Sequence, residues 1–206
     1  MRGARYNPLM TSDLRVAPGT LLASAPNLLD PNFMHTVSLM CEHGEAGAYG
    51  LVLNKPSSLT LDRLLPEHPI LGAHPLPVFW GGPVGNDTLQ ILHRYPDVIT
   101  GGFEVAEGLV LGGDLDEVAA LFETGPVEAA MQGVRFVLGY AGWGAGQLER
   151  ELAGGSWLPL PLDAELLFEG GAGSEHDQSA IWRKALRALG EDGVGLGELP
   201  PDIGWN

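Results

Sequence analysis

The 206-residue sequence predicts an α+β fold. Two observations agree with that class. Residues 36–54 read as a hairpin, and the helical patterns are few and scattered.

The elements follow in order. Residues 1–18 hold Arg2, Arg5, Arg15, Pro8 and Pro18 with little periodicity, which predicts a loose arm, or a short helix around Asp13 to Val16. Gly19 to Ala25 reads as the first strand, followed by turns at Pro26-Asn27 and Asp30-Pro31-Asn32. Thr36 to Glu42 alternates, with Val37, Leu39 and Cys41 on one face and Thr36, Ser38 and Met40 on the other. Gly44 to Gly47 turns the chain and Ala48 to Asn54 returns it. Thr60 to Leu65 suits a short helix, ended by Pro66. Pro77 to Trp80 is an apolar strand running into a sharp turn at Gly81-Gly82-Pro83.

Further strands are expected at Thr88–His93, Val98–Thr100 and Gly108–Leu111. Asp114 can cap a helix reaching Phe122 or Glu123, with Glu117 completing a carboxylate capping box. Val134 to Tyr140 is a strand entering a glycine-rich turn over residues 139–146, and a helix follows from Gln147 to Leu152, stopped by Gly154-Gly155. Trp157–Leu162 and Leu166–Phe168 read as extended, and Gly170–Gly173 as a flexible loop. A last helix starts at Asp177 or Ser179 and stacks Ile181, Ala185 and Leu189 one turn apart. The glycines and prolines from Gly190 onward predict a loop. The expected organisation is an arm (1–18), a single domain (19–190) and a Gly/Pro-rich tail (191–206).

Composition excludes several function classes. Eleven Lys+Arg against 26 Asp+Glu give a net charge of −15, which opposes broad attraction to nucleic acid or anionic lipid. A hydrophobic share of 45% is too high for a disordered acidic tail. No run approaches the ~18–20 apolar residues of a membrane span. One cysteine, Cys41, forms no internal disulfide and fits a reducing compartment. Leu21 to Ala25 ends in a small-x-small pattern, but Pro18, Gly19, Asp13 and Arg15 break the apolar run a signal peptide needs. The chain therefore reads as unprocessed and cytoplasmic.

Three places could carry chemistry. Cys41-Glu42-His43 would put the thiol and imidazole on one strand face with Glu42 opposite. A nucleophile needs a base in reach and a surrounding that lowers its pKa, and a metal would want more ligands than this pair supplies. A buried Cys41 and a turn-capping His43 explain the same residues. The second place is the strand–glycine–helix passage at 134–152, where a helix N-terminus offers donors to an anion. Its Gly142-x-Gly144-x-Gly146 spacing is not a dinucleotide fingerprint, and the Lys-Ser/Thr pair of a phosphate loop is missing. Glu149 and Glu151 would repel an anion, and the glycines could serve only to seat Trp143. The third place, Asp114, Asp116 and Glu117, lacks the glycine and terminal ligand of a calcium loop, and helix capping accounts for it.

His35, His68, His74, His93 and His176 have no ligand spacing, and no Gly-x-Ser-x-Gly or His-Glu-x-x-His motif occurs. Arg183, Lys184 and Arg187 give the last helix a small basic face that suits its dipole better than a polyanion.

Taken together, the motifs resemble the AlgH/YqgE family of bacterial proteins. The resemblance begins at Gly19-Thr20-Leu21-Leu22-Ala23-Ser24 and continues through Asp30-Pro31-Asn32-Phe33 and Cys41-Glu42-His43. It runs on through residues 47–56, Gly81-Gly82-Pro83-Val84 and residues 140–149, then Trp157 and Ile181-Trp182, so it spans roughly residues 19–187. Thr88-Leu89-Gln90 stands where members commonly carry Arg-Gly-Phe, so no role of that arginine is carried over. Gly44 replaces a usual Asn.

The resemblance implies an α+β fold with a branched, mostly antiparallel sheet, a small barrel-like portion and flanking helices. It also implies the label given to one member, transcriptional regulator of exopolysaccharide production, with no catalytic activity established for the group. The expected function is that of a cytosolic, non-catalytic regulatory or interaction protein acting through a protein partner or small ligand. It needs no cofactor, no metal and no direct nucleic-acid contact. The candidate contact residues are Gly142, Trp143, Gly144, Gly146, Gln147, Glu42, His43, Asn54 and Lys55. The rival is a hydrolase-like enzyme using Cys41, Glu42 or His43.

Overall fold

A computed structural model describes residues 15–169 and 178–198. The expected hairpin is present as β2 (Val37–Gly44) and β3 (Gly47–Val52). β1 (Leu21–Ser24) pairs antiparallel with β2 on one side and with β10 (Trp157–Leu160) on the other. β3 pairs antiparallel with β9 (Val134–Gly144), which pairs in turn with β6 (Val84–His93). β8 (Leu109–Leu111) and β7 (Phe103–Ala106) extend the sheet beyond β6. β5 (Pro77–Trp80) joins β9 in parallel and carries β4 (Pro56–Thr60) on its far side, so the sheet branches at β9.

The sheet curls without closing. β7 returns toward the start of β1, where a Cβ added at Gly19 would lie 3.0 Å from the Ala106 Cβ. Among the described residues no ladder joins these strands. Inside the curl lies the largest apolar cluster, with Leu39, Cys41, Leu51, Leu92, Leu111 and Val137. Helix α6 (Gln178–Leu186) covers it with Trp182, whose indole N–H donates to the Ser24 carbonyl at 2.8 Å. An indole buried to 1% exposure and paired in this way makes Trp182→Ala a loss of about 3–5 kcal/mol.

β9 organises the rest because it contributes to all three apolar clusters. Val134 and Phe136 face a cluster covered by α2 (Leu115–Thr124) and α3 (Val127–Met131), with Leu61 of α1 (Leu61–Leu64) at its edge. Val137 faces the curl. Ala141 and Trp143 face a third cluster under α4 (Gln147–Ala153). The changes of face need a break in the alternation, and Gly139 supplies it with φ +75. A Cβ there would sit 2.8 Å from the carbonyl oxygens of Gly82 and Val84, so only glycine fits.

Several sequence expectations are corrected. The glycine-rich passage is not a turn from 139 to 146: β9 continues to Gly144, and only Ala145-Gly146 turn before α4. Paired backbone on both sides, rather than local glycine content, decides this. Val98–Thr100 is a turn, with the Val98 and Ile99 N–H groups donating to the Tyr95 carbonyl. Leu166–Phe168 belongs to helix α5 (Ala164–Phe168), started by the Asp163 carboxylate accepting from the Glu165 and Leu166 N–H groups. Residues 191–197, expected as loop, form helix α7 (Glu191–Gly197).

Asp114 caps α2 as expected, but the capping box is not reciprocal, since Glu117 accepts from the Thr100 N–H and hydroxyl instead. β4, β7 and α3 were not legible in the sequence. Ser179 lies within α6, whereas Asp177 and the expected loop at Gly170–Gly173 lie outside the described residues, as do residues 1–14 of the arm.

Candidate functional site

The Cys41-Glu42-His43 reading is the most altered. Along β2 and β3, Met40 is opposite Gly50 but Glu42 is opposite Tyr49, so Cys41 is the extra residue of a β-bulge. The bulge breaks the alternation. Cys41 stays in the curl's interior with Leu39, and Glu42, paired with Tyr49, opens on the same face. His43 is opposite Ala48 and faces the third cluster. The expectation that Cys41 and His43 share a face with Glu42 opposite is therefore reversed.

Cys41 is 2% exposed, its Sγ contacts the Leu39 carbonyl at 3.7 Å, and burial pushes the thiol up to about 12. The neighbouring Glu42 adds to that shift. A thiolate is disfavoured here at physiological pH. His43 Nε2 lies 2.8 Å from Glu149 Oε1 of α4, tying the hairpin to the helix. The Glu149 carboxyl is held below its ordinary range, first by its own backbone N–H and then by His43.

The passage from β9 into α4 converges on Glu151, which the sequence marks only as a carboxylate repelling anions. Glu151 Oε2 accepts from the Trp143 indole N–H at 2.9 Å and from the Trp157 indole N–H at 2.7 Å. Its Oε1 accepts from the Gln147 amide at 2.9 Å, and Gln147 Oε1 takes the Gly144 N–H at 3.0 Å. The two indoles meet edge to face, 5.7 Å apart. Trp143 and Gln147 are thus held in the fold, and Gly146, at φ 67, makes the left-handed step into α4. Two tryptophans that each need a partner when buried, and the Gln147/Glu151 spacing on one helix face, were the available signal.

Asn54 and Lys55 are brought to a different place. Asn54, 1% exposed, accepts from the Val37 N–H at 2.8 Å and donates to the His35 and Gln178 carbonyls at 2.9 Å each. It joins β2, the preceding loop and α6. Lys55 Nζ donates to the Pro31 carbonyl at 2.7 Å and lies 4.4 Å from the centre of the Trp80 ring, and burial lowers its pKa. The structure brings together Glu42 with Gly142, through Tyr49, and His43 with the Trp143–Gln147 passage; it does not bring either to Asn54 and Lys55.

Other polar groups are buried within the fold. Arg135, with its guanidinium pulled down to about 9 by burial, donates to the Leu53 and Glu169 carbonyls and lies 4.0 Å from the Phe79 ring centre. Gln90, in the segment where the resembled family carries Arg-Gly-Phe, accepts from the Tyr49 hydroxyl and donates to the Gly139 carbonyl at 3.0 Å. Lys184 of the basic face pairs with Glu169. Among the described residues, no group of three or more His, Cys, Asp or Glu is placed to hold a metal ion. No helix among them is long and apolar enough to cross a membrane.

The profile of the AlgH-like family matches residues 21–193. The chain belongs to the AlgH-like family. Its relatives include a UPF0301 protein of Chlorobaculum tepidum, 39% identical over 96% of this chain and 100% of that protein. A UPF0301 protein of Thioalkalivibrio sulfidiphilus is 40% identical over 83% of this chain and 88% of its own length. The solution structure of AlgH from Pseudomonas aeruginosa is 36% identical, with a TM-score of 0.60 over 76% of this chain and 84% of that one. A crystal structure of a Corynebacterium diphtheriae protein, 23% identical, shares the fold with a TM-score of 0.62 over 89% of this chain and 93% of that one. The AlgH-like assignment agrees with the motif series read from Gly19 to Arg187, and the α+β sheet is the fold that series implied.

Proposed function

We propose that this AlgH-like chain is a non-catalytic regulatory or interaction protein, working through a protein partner, or through a small ligand, and acting on transcription only indirectly. The observation that carries this reading is the separation of Cys41 from His43. The one thiol is buried and protonated, and the nearest imidazole in sequence faces the other side of the sheet. The nucleophile–base pair that a hydrolase built on Cys41 and His43 would use is not assembled. Trp143, Gln147 and Asn54 spend their hydrogen bonds on the fold, and Glu149 brings a carboxylate to the helix end where an anion would sit. A net charge of −15 supports action through a protein rather than along DNA.

The reading is tested by crosslinking the intact protein in its own cells and identifying what is captured, with Cys41→Ala and His43→Ala variants in parallel. A specific partner retained by both variants is the expected result. Turnover of a substrate by the wild type that both variants lose would overturn it. Tight, steeply salt-dependent binding of duplex DNA would overturn the charge argument.

A further inference from the structure

One end of the sheet carries two partly exposed tyrosine rings at the margin of the largest apolar cluster. There the tip of the β2–β3 hairpin and the last residues of β9 lie beside the start of β6. The rings of Tyr49 and Tyr140 stand 4.9 Å apart, tilted by 39°, and both are half-buried. Gln90 fixes Tyr49 by accepting a hydrogen bond from its hydroxyl. Tyr140 is bordered by residues without side chains. A Cβ on Gly142 would come to 3.4 Å from its Cε2, and one on Gly85 to 3.1 Å from its Cε1. Gly142 and Gly144 are exposed. Val84, in register with Tyr140, is 41% exposed and continues the apolar surface.

Within the described strand segments that form this surface, the exposed charges have one sign. Glu42 is exposed, in register with Tyr49 and on its face, and Glu45 and Asp87 are exposed at the hairpin tip and on β6. Residues 39–54, 81–93 and 136–149 contain no lysine or arginine. Of the histidines in these segments, His43 faces the opposite side and His93 is fully buried. Aromatic rings beside carboxylates attract a cation through both the ring quadrupole and the ion pair, and a guanidinium meets both geometries. Phosphate is repelled by the same carboxylates.

We propose that the Tyr49–Tyr140 surface docks an arginine-bearing segment of a partner protein, with Glu42 as the ion-pair partner. The proposal rests on the interaction reading above and names the chemistry of its partner. The probe is a short fluorescein-labelled arginine–serine peptide, titrated with the full chain and followed by anisotropy. The same peptide with glutamate in place of arginine is the comparison.

The arginine peptide binds and the acidic one does not. Gly142→Leu covers the Tyr140 edge, its Cβ meeting the ring at a contact distance of 3.4 Å from a backbone without positive φ, and its thermal midpoint is measured beside that of the wild type. Gly142→Leu and Glu42→Gln each weaken binding about two- to fivefold, the size of one exposed cation–π or ion-pair contact. Glu123→Gln with Glu128→Gln, on the distant helices α2 and α3, leaves it unchanged. Absence of binding, wild-type binding by Gly142→Leu, or equal weakening by the α2–α3 variant would each overturn the proposal. The last result marks diffuse charge attraction. A captured partner that seats a neutral or acidic segment on this surface would also sink it, while leaving the interaction reading intact.

Discussion

Cys41 and His43, two residues apart on one strand, project from opposite faces of the sheet because the bulge between Met40 and Glu42 inserts an extra residue. The thiol is consequently enclosed by the curl's core while the imidazole pairs with Glu149. Alkylation of Cys41 by iodoacetamide should therefore be negligible in the native protein at neutral pH. It should rise only with unfolding, its rate tracking the denaturation curve in urea. Rapid labelling of the native state would show that the site opens.

Glu151 holds three donors, from β9, β10 and its own helix α4. Glu151→Ala leaves the Trp143 and Trp157 indoles, 5% and 3% exposed, without their acceptor. A buried unpaired donor costs about 1–3 kcal/mol, so the variant should lose about 2–4 kcal/mol in urea denaturation. Glu151→Gln, which keeps an acceptor oxygen, should lose less. Equal losses for the two variants would mean that packing, not the carboxylate, sets the stability of this cluster.

The glycines of two neighbouring motifs divide by geometry. A Cβ on Gly81 would sit 2.2 Å from the Gly139 carbonyl oxygen, and one on Gly82, at φ +153, would sit 2.0 Å from the Tyr140 carbonyl carbon. On Gly144 the nearest atom would be Gln147 Oε1 at 3.8 Å. Gly82→Ala should give an insoluble or unfolded chain, while Gly144→Ala should keep the thermal midpoint within a few degrees, a surface-scale change of about 0.5 kcal/mol. Circular dichroism melts distinguish the two outcomes.

Burial lowers the pKa of His93, whose Nδ1 accepts from the Tyr95 N–H at 3.2 Å. The unfolded chain, with the ordinary value of 6.5, binds the proton more readily than the native state does. Its contribution to stability is thus intact above 6.5 and is lost as pH falls below it toward the native value. His35, also lowered by burial, acts with the same sign. His93→Asn keeps an acceptor near the Tyr95 N–H but does not titrate, so stability measured in urea from neutral to mildly acidic pH should fall less steeply than in the wild type. An unchanged slope would assign the acid sensitivity elsewhere.

The hairpin over residues 36–54, the cap at Asp114 and helix α6 were legible because each is written in local patterns: alternation, a carboxylate before a helical run, and apolar residues one turn apart. The glycine-rich passage misled for the same reason. Glycine content marks a turn locally, but the neighbours β3 and β6 hold residues 139–144 as strand. The apolar triplet at Leu166 reads as strand until the Asp163 carboxylate takes the next N–H groups and starts a helix.

By itself the sequence determined the family, the α+β class and an acidic chain with a single thiol, since motif order, composition and short-range periodicity need no partners. The tertiary structure alone decided which of those residues meet. One extra residue in a ladder turned His43 away from Cys41, and a glycine with positive φ let β9 serve three cores. Two tryptophans 14 positions apart came to share one carboxylate. Register and strand pairing are properties of the whole sheet, so a local pattern does not contain them.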